Sequence, residues 1–275
     1  MSKYTPLFTR GGQSSAGSAY PPKYMGSSVY TPSMLFWEDF HTNVMGAVSA
    51  SGAVGWELTN ITGTGSTARV NIGPAPTAPT SGVSALLPGA VDGNISELNI
   101  GGGHVPFYFG GAGNRCYLSV RIAMLSVNTS MMGFGLVPSG VAVGTDFITD
   151  PDTVLSATSS LVIHRHSAAY AGTTTNASVT GRMYDSPSAE QHLQIRTSPT
   201  SNVFYKYEIY WDGTSFNWAV GGVSAGALTP TGTVWNTAAG GNVRPVFQLK
   251  NSGTATPRQL YVDYLYWDAT TSVVR

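Results

Sequence analysis

FYKYEIYWDGTSFNWAV, residues 204–220, reads as two strands and the turn between them. Tyr205, Tyr207 and Ile209 alternate with Lys206, Glu208 and Tyr210, and Phe216, Trp218 and Val220 alternate with Asn217 and Ala219. A period of two sends successive side chains to opposite faces of a sheet. Asp212-Gly213 stands between the runs, and both residues tolerate the positive φ of a tight hairpin. The segment predicts a β-hairpin.

The same period recurs on either side. Within Tyr117–Val127, Leu118, Val120, Ile122 and Met124 share one face, while Tyr117, Ser119, Arg121 and Ala123 share the other. Met132–Val137 continues as a short strand with Phe134 and Leu136 together. Leu161, Ile163 and Arg165 alternate with Val162, His164 and His166, and Leu193 and Ile195 with His192, Gln194 and Arg196. Val246–Lys250 and Leu260–Trp267 add two strands. In the last, unbroken alternation groups Leu260, Val262, Tyr264 and Tyr266 against Tyr261, Asp263, Leu265 and Trp267. Aromatics on both of its faces predict a strand covered on both sides.

Weaker signals fill the gaps. Trp56–Ile72 alternates loosely, and Leu35-Phe36-Trp37-Glu38-Asp39-Phe40 is an aromatic opening. Residues 73–93 hold four prolines and four glycines and are expected to form a long surface loop. Residues 101–113 set an aromatic cluster between glycine runs. No window carries a sustained helical period with caps, so an all-β sandwich or barrel is expected.

The chain has 275 residues, long enough for a substantial core. Only 10% of them are charged, whereas 42% are hydrophobic. That excludes a disordered chain and predicts neutral Ser, Thr, Asn and Gly surfaces suited to contact with partners or copies of itself. Lys plus Arg equals Asp plus Glu at 14 each, and no basic stripe points to nucleic acid. No apolar run suits a membrane helix, and Met1–Pro6 lacks the apolar stretch of a secretory signal. Synthesis in a host cytoplasm is expected. The single cysteine, Cys116, lies in an alternating apolar run and is expected to be buried and inert.

Residues 1–34 stand apart. Gly, Ser and Pro punctuate them, and nothing has strand or helix period. They are expected to form an extended arm, with Tyr4, Phe8, Tyr20, Tyr24 and Tyr30 as anchors against a neighbour. Residues 35–275 form the main domain.

The order of signals resembles the concanavalin A-like jelly roll of lectins and glucanases. The residues that carry it are Trp37-Glu38-Asp39-Phe40, the Leu118–Val127 strand followed by Met132-Gly133-Phe134-Gly135-Leu136, the Tyr207–Gly213 hairpin, and Leu260–Trp267. The resemblance implies a jelly-roll β-sandwich over about residues 35–268 and no particular activity. In low charge, Gly/Ser/Thr richness and a Pro/Tyr-rich arm, the chain also resembles tailed-bacteriophage virion proteins. That resemblance implies a capsid decoration, or cement, protein at the virion surface. Its partners would be the major capsid protein and copies of itself, as a dimer or trimer.

Residues for chemistry are sparse. Retaining glucanases of this fold carry a Glu-x-Asp-x-(x)-Glu strand, because two carboxyl groups about 5–5.5 Å apart must act as nucleophile and acid. Glu38 and Asp39 are adjacent and so point apart, and Glu57, Glu97, Glu190 and Glu208 read as isolated. Gly222-Val223-Ser224-Ala225-Gly226 fits a nucleophile elbow, but a hairpin strand precedes it and no helix follows. His164 and His166 could share a face, yet no third metal ligand is apparent. Asp146, Asp150 and Asp152 could gather around calcium. The expectation is a protein without cofactor that is not an enzyme. The alternative is a lectin-like module of a tail fibre or adhesin, with Trp211, Trp218 and Trp235 stacking on sugar rings.

Overall fold

The computed structural model describes residues 33–38, 56–62, 66–69, 84–89, 91, 93–100, 115–124, 130–138, 160–165, 178–184, 191–196, 199–231, 235, 243–251 and 259–270. The described elements are all strands: β1 (Ser33–Glu38), β2 (Trp56–Thr62), β3 (Ser66–Arg69), β4 (Ser84–Leu87), β5 (Ile95–Ile100), β6 (Arg115–Met124), β7 (Ser130–Pro138), β8 (Ser160–Arg165), β9 (Val179–Tyr184), β10 (Gln191–Arg196), β11 (Tyr205–Trp211), β12 (Phe216–Val220), β13 (Val223–Leu228), β14 (Val243–Asn251) and β15 (Leu260–Thr270). Among the described residues no helix is long and apolar enough to cross a membrane.

The strands form two antiparallel sheets. Sheet A has the order β13-β12-β11-β6-β15-β4-β3, with β1 also paired to β15, and sheet B the order β10-β9-β8-β7-β14-β5-β2. The expected hairpin is β11–β12, with Trp211 opposite Phe216 and Tyr207 opposite Val220. Its turn closes through Asp212, whose Oδ1 accepts from the amides of Thr214 and Ser215 at 2.8 Å each. Gly213 takes φ +96°, a conformation open to glycine.

One apolar core joins the sheets. From sheet A, Leu118, Val120, Ile122, Ile209, Trp218 and Trp267 turn inward. They meet Leu98, Phe134, Leu136, Met183, Phe247 and Leu249 of sheet B. Phe134 and Phe247, neighbours on β7 and β14, lie 4.5 Å apart between ring centroids. Cys116 is buried and accepts a hydrogen bond from Trp267 Nε1 at 3.0 Å, and burial pushes its thiol pKa far up. An inert thiol follows.

Two expectations need correction. The proline-rich span 73–93 is not loop throughout: Ser84–Leu87 is β4, pairing β15 and β3, with Leu86 in the core. Leu86-Leu87 supply enough apolar surface to hold a short strand against the longer β15. The simple alternation of β15 also breaks. Val262 opposes Ile122 and Tyr264 opposes Arg121, so Asp263 is an extra residue in a β-bulge. Beyond it the faces exchange. Leu260, Val262, Leu265 and Trp267 enter the core, and Tyr261, Tyr264 and Tyr266 turn away. Tyr261 and Tyr266 are nevertheless 7% and 3% exposed, so β15 is covered on both faces. β1 opens at Ser33, so residues 33 and 34 of the expected arm pair with β15.

Candidate functional site

Alternation leaves each sheet an outward face. On sheet A this face gathers Tyr117 of β6 with Lys206 and Glu208 of β11. Glu208 accepts hydrogen bonds from the Tyr117 hydroxyl and from the Gly222 amide at 2.7 Å, and pairs with Lys206 at 2.7 Å. Burial, reinforced by the Glu208 charge, pushes the Tyr117 pKa well up. This carboxylate ties the β12–β13 turn to two strands, which is a structural task.

The outward face of sheet B differs in kind. Leu98, Phe247 and Leu249 turn inward, so Glu97 and Asn99 of β5 and Gln248 of β14 turn outward. An outward face of a sandwich ordinarily meets water. Here Glu97 is 1% exposed, and Asn99 and Gln248 are at 0%. Withdrawn from water, these groups must be hydrogen-bonded to one another or lose free energy. Glu97 Oε1 accepts from Asn99 Nδ2 at 3.0 Å and Oε2 from Gln248 Nε2 at 2.7 Å. Asn99 Oδ1 is buried without a hydrogen-bond partner.

The register carries the same outward positions across the sheet. Gln248 opposes Glu97 on one side and Gly133 on the other. Gly133 opposes His164, His164 opposes Thr180, and Thr180 opposes Gln194. One step along, Asn99 opposes Val246, which opposes Gly135, and Gly135 opposes Val162; Val162 opposes Arg182, and Arg182 opposes His192. Gly133 and Gly135 leave β7 without side chains at two successive outward positions in the middle of the sheet. On β2, Glu57 opposes Asn99 and Thr59 opposes Glu97. Glu57 and Glu97 therefore occupy diagonal register positions on adjacent strands.

Trp211, Trp218 and Trp235 cannot serve as a sugar platform. Each is 1% exposed in the core, and Trp235 Nε1 donates to the Tyr184 carbonyl at 2.9 Å. The hairpin's inward parity carries Trp211 and Trp218 there with Ile209 and Phe216. Tyr4, Phe8, Tyr20, Tyr24 and Tyr30, the aspartates at 146, 150 and 152, and His166 lie outside the described residues. Ser224 sits on β13 opposite Ala219, in a strand and not at an elbow. Among the described residues no group of three or more His, Cys, Asp or Glu gathers to hold a metal ion.

No protein-family model matches the sequence, and no curated protein matches it. Solved structures do. A protein of unknown function from Shewanella oneidensis MR-1 aligns at TM-score 0.51 and 14% identity, over 97% of this chain and 99% of its own. An endo-1,3-β-glucanase from Streptomyces sioyaensis aligns at TM-score 0.50 and 12% identity, over 89% and 98%. A structure described among endo-acting O-glycanases of the human gut microbiota aligns at TM-score 0.54 and 10% identity, over 84% and 97%. Nothing in these likenesses points to a virion protein. The glucanase and the O-glycanase overturn the expectation that the chain is not an enzyme, because its architecture is one that glycan-cleaving proteins use. Likeness at such identity establishes fold and leaves activity to the site. The chain has the concanavalin A-like jelly-roll fold, an all-β sandwich of two antiparallel sheets.

Proposed function

We propose that the chain engages carbohydrate on the outward face of sheet B. The observation that carries this reading is the Glu97–Asn99–Gln248 floor, polar and organised, with Asn99 Oδ1 held out of water without a donor. A sugar hydroxyl both donates and accepts. It can donate to Asn99 Oδ1 and add to the hydrogen bonding of neighbouring carboxylate and amide groups. Gly133 and Gly135 put no side chain at two successive outward positions of β7, between β14 and β8. The lectin-like reading of the sequence thus moves from the tryptophans to sheet B. Attachment to a capsid shell draws no support from the fold's neighbours.

Titration calorimetry of the full chain against soluble polysaccharides tests this. Asn99→Ala and Gln248→Ala are expected to lower affinity roughly tenfold each, in line with about 1–1.5 kcal/mol per hydrogen bond. Val223→Ser, on the edge of sheet A, is expected to bind as the parent does. Failure of every polysaccharide to bind, or parental affinity in both floor variants, would end the proposal.

A further inference from the structure

An open sheet has edges whose backbone groups can accept another strand. Among the described strands, sheet A ends in β13 and β3 and sheet B in β10 and β2, while β1 pairs only with β15. All of these but one carry a charged residue: Arg69 on β3, Arg196 on β10, Glu57 on β2 and Glu38 on β1. The exception is β13, which reads VSAGAL. A charge on an edge strand opposes a second strand, because pairing would strip it of water. β13 offers no such opposition.

The hairpin also aims the open groups of this strand. Gly221 and Gly222 take φ +57° and +83° and join Val220 to Val223 in a two-residue turn. Positive φ at both central residues is the type I′ geometry. In such a hairpin the pair that flanks the turn exchanges both hydrogen bonds, and the next pair exchanges none. Val220 and Val223 flank this turn, so Ser224, opposite Ala219, points its N–H and C=O away from β12. Ser224 and Ala227 are exposed. The Gly222 amide donates to Glu208 Oε2 at 2.7 Å, which anchors the turn on β11. The open edge is thus held in place before any strand arrives.

We infer that β13 pairs with β13 of a second copy, antiparallel about a two-fold axis, so that the two A sheets run on as one. Charge and symmetry identify the occupant. Residues 213–243 contain no charged side chain and the formal net charge is zero, so nothing repels a second copy and nothing on the edge selects an acidic or basic partner. The pairings within sheet A are antiparallel. A two-fold pairing keeps that sense and uses the same edge from both copies, so it closes at two and leaves neither β13 open. The register shift at Trp218 and Ala219 keeps the paired stretch short, so the dimer is weak and forms at raised protein concentration.

Sedimentation equilibrium of the full chain, from micromolar to about 1 mM, tests this. The expected result is a shift from the 28.8 kDa monomer to a species of twice that mass and none beyond it. Ser224→Pro removes an N–H that no strand of its own sheet uses, so this variant should fold and stay monomeric throughout. Ser224→Ala keeps the N–H and should dimerise as the parent does. Amide exchange in the parent is a second readout, which stands even if the proline variant fails to fold. The Ser224 N–H should exchange more slowly at the concentrated end, and the amides of β10 at an unchanged rate. A parent that stays monomeric, a species larger than a dimer, a dimer that survives Ser224→Pro or is lost in Ser224→Ala, or Ser224 exchange independent of concentration overturns the inference.

Discussion

At the scale of single residues, one missing side chain holds the sheets at their spacing. A Cβ at Gly181 of β9 would lie 2.7 Å from Trp218 Cδ2, and Trp218 is 1% exposed. The indole can move only into other core atoms, and its Nε1 is itself buried without a hydrogen-bond partner. Gly181→Ala is expected to cost about 1–3 kcal/mol, the range for overpacking a filled core. A lowered urea midpoint at unchanged slope checks it, and an unchanged midpoint would mean that the indole has slack. The site was only partly legible at this scale. ISELNI and VFQLKN show Glu97, Asn99 and Gln248 alternating with apolar neighbours, so their outward parity was readable. Their shielding from water was not, because it depends on what else crosses the face. The tryptophans invite the opposite error. Their residue type suggests aromatic platforms, whereas the parity of their own hairpin sends Trp211 and Trp218 inward.

At the scale of elements, the turn and the bulge make separate predictions. Burial alone would raise the Asp212 pKa, but hydrogen bonds from Ser215, Asn217 and Thr214, with Arg115 nearby, outweigh it and hold the value below the ordinary aspartate range. Its folded pKa is thus depressed. The stabilisation it brings is present above the unfolded value of about 3.9 and is lost as pH falls through the folded value. Asp212→Ala is expected to cost about 1–2 kcal/mol at neutral pH. The gap between parent and variant should close on acidification through that window, as followed by denaturant unfolding. A gap constant down to low pH would sink the assignment. The bulge on β15 gives a contrasting pair. Deleting Asp263 removes the extra residue and its ion pair with exposed Arg121, yet keeps Leu260, Val262, Leu265 and Trp267 inward. Inserting one alanine after Tyr264 instead turns Leu265 and Trp267 outward. The deletion should fold with parental near-ultraviolet dichroism and the insertion should not; equal behaviour would refute the bulge. Strands with an unbroken period, such as β6 and β11, were legible residue by residue. The face exchange in β15 was not, since an extra residue leaves no mark in a run apolar and aromatic on both parities.

At the scale of the whole molecule, the two sheets end differently. β10 and β13 close one side of the sandwich as edges of sheets B and A. β10 carries His192 and Arg196, and the Arg196 guanidinium stacks 3.8 Å from the Tyr205 ring centroid. β13 reads VSAGAL and has no such guard. Among the described strands it pairs only with β12, Val223 is 72% exposed, and residues 213–243 contain no charged side chain. Edge strands are ordinarily protected by charge, proline or strong bulging, because their unpaired backbone groups accept another strand. β13 has a bulge where its register to Trp218 and Ala219 shifts, with Gly226 at φ +137°. That twist is its one described defence, in a chain whose sequence pI of about 7.0 removes net repulsion at neutral pH. The edge is therefore expected to drive any self-association of the molecule. Val223→Lys places a charge there, in a side chain already in water, so unfolding free energy should move by less than about 0.5 kcal/mol. Light scattering at raised concentration should show less association at pH 7 than in the parent, and added salt should restore it by screening the charge. Association that is identical in parent and variant would move its cause elsewhere on the surface.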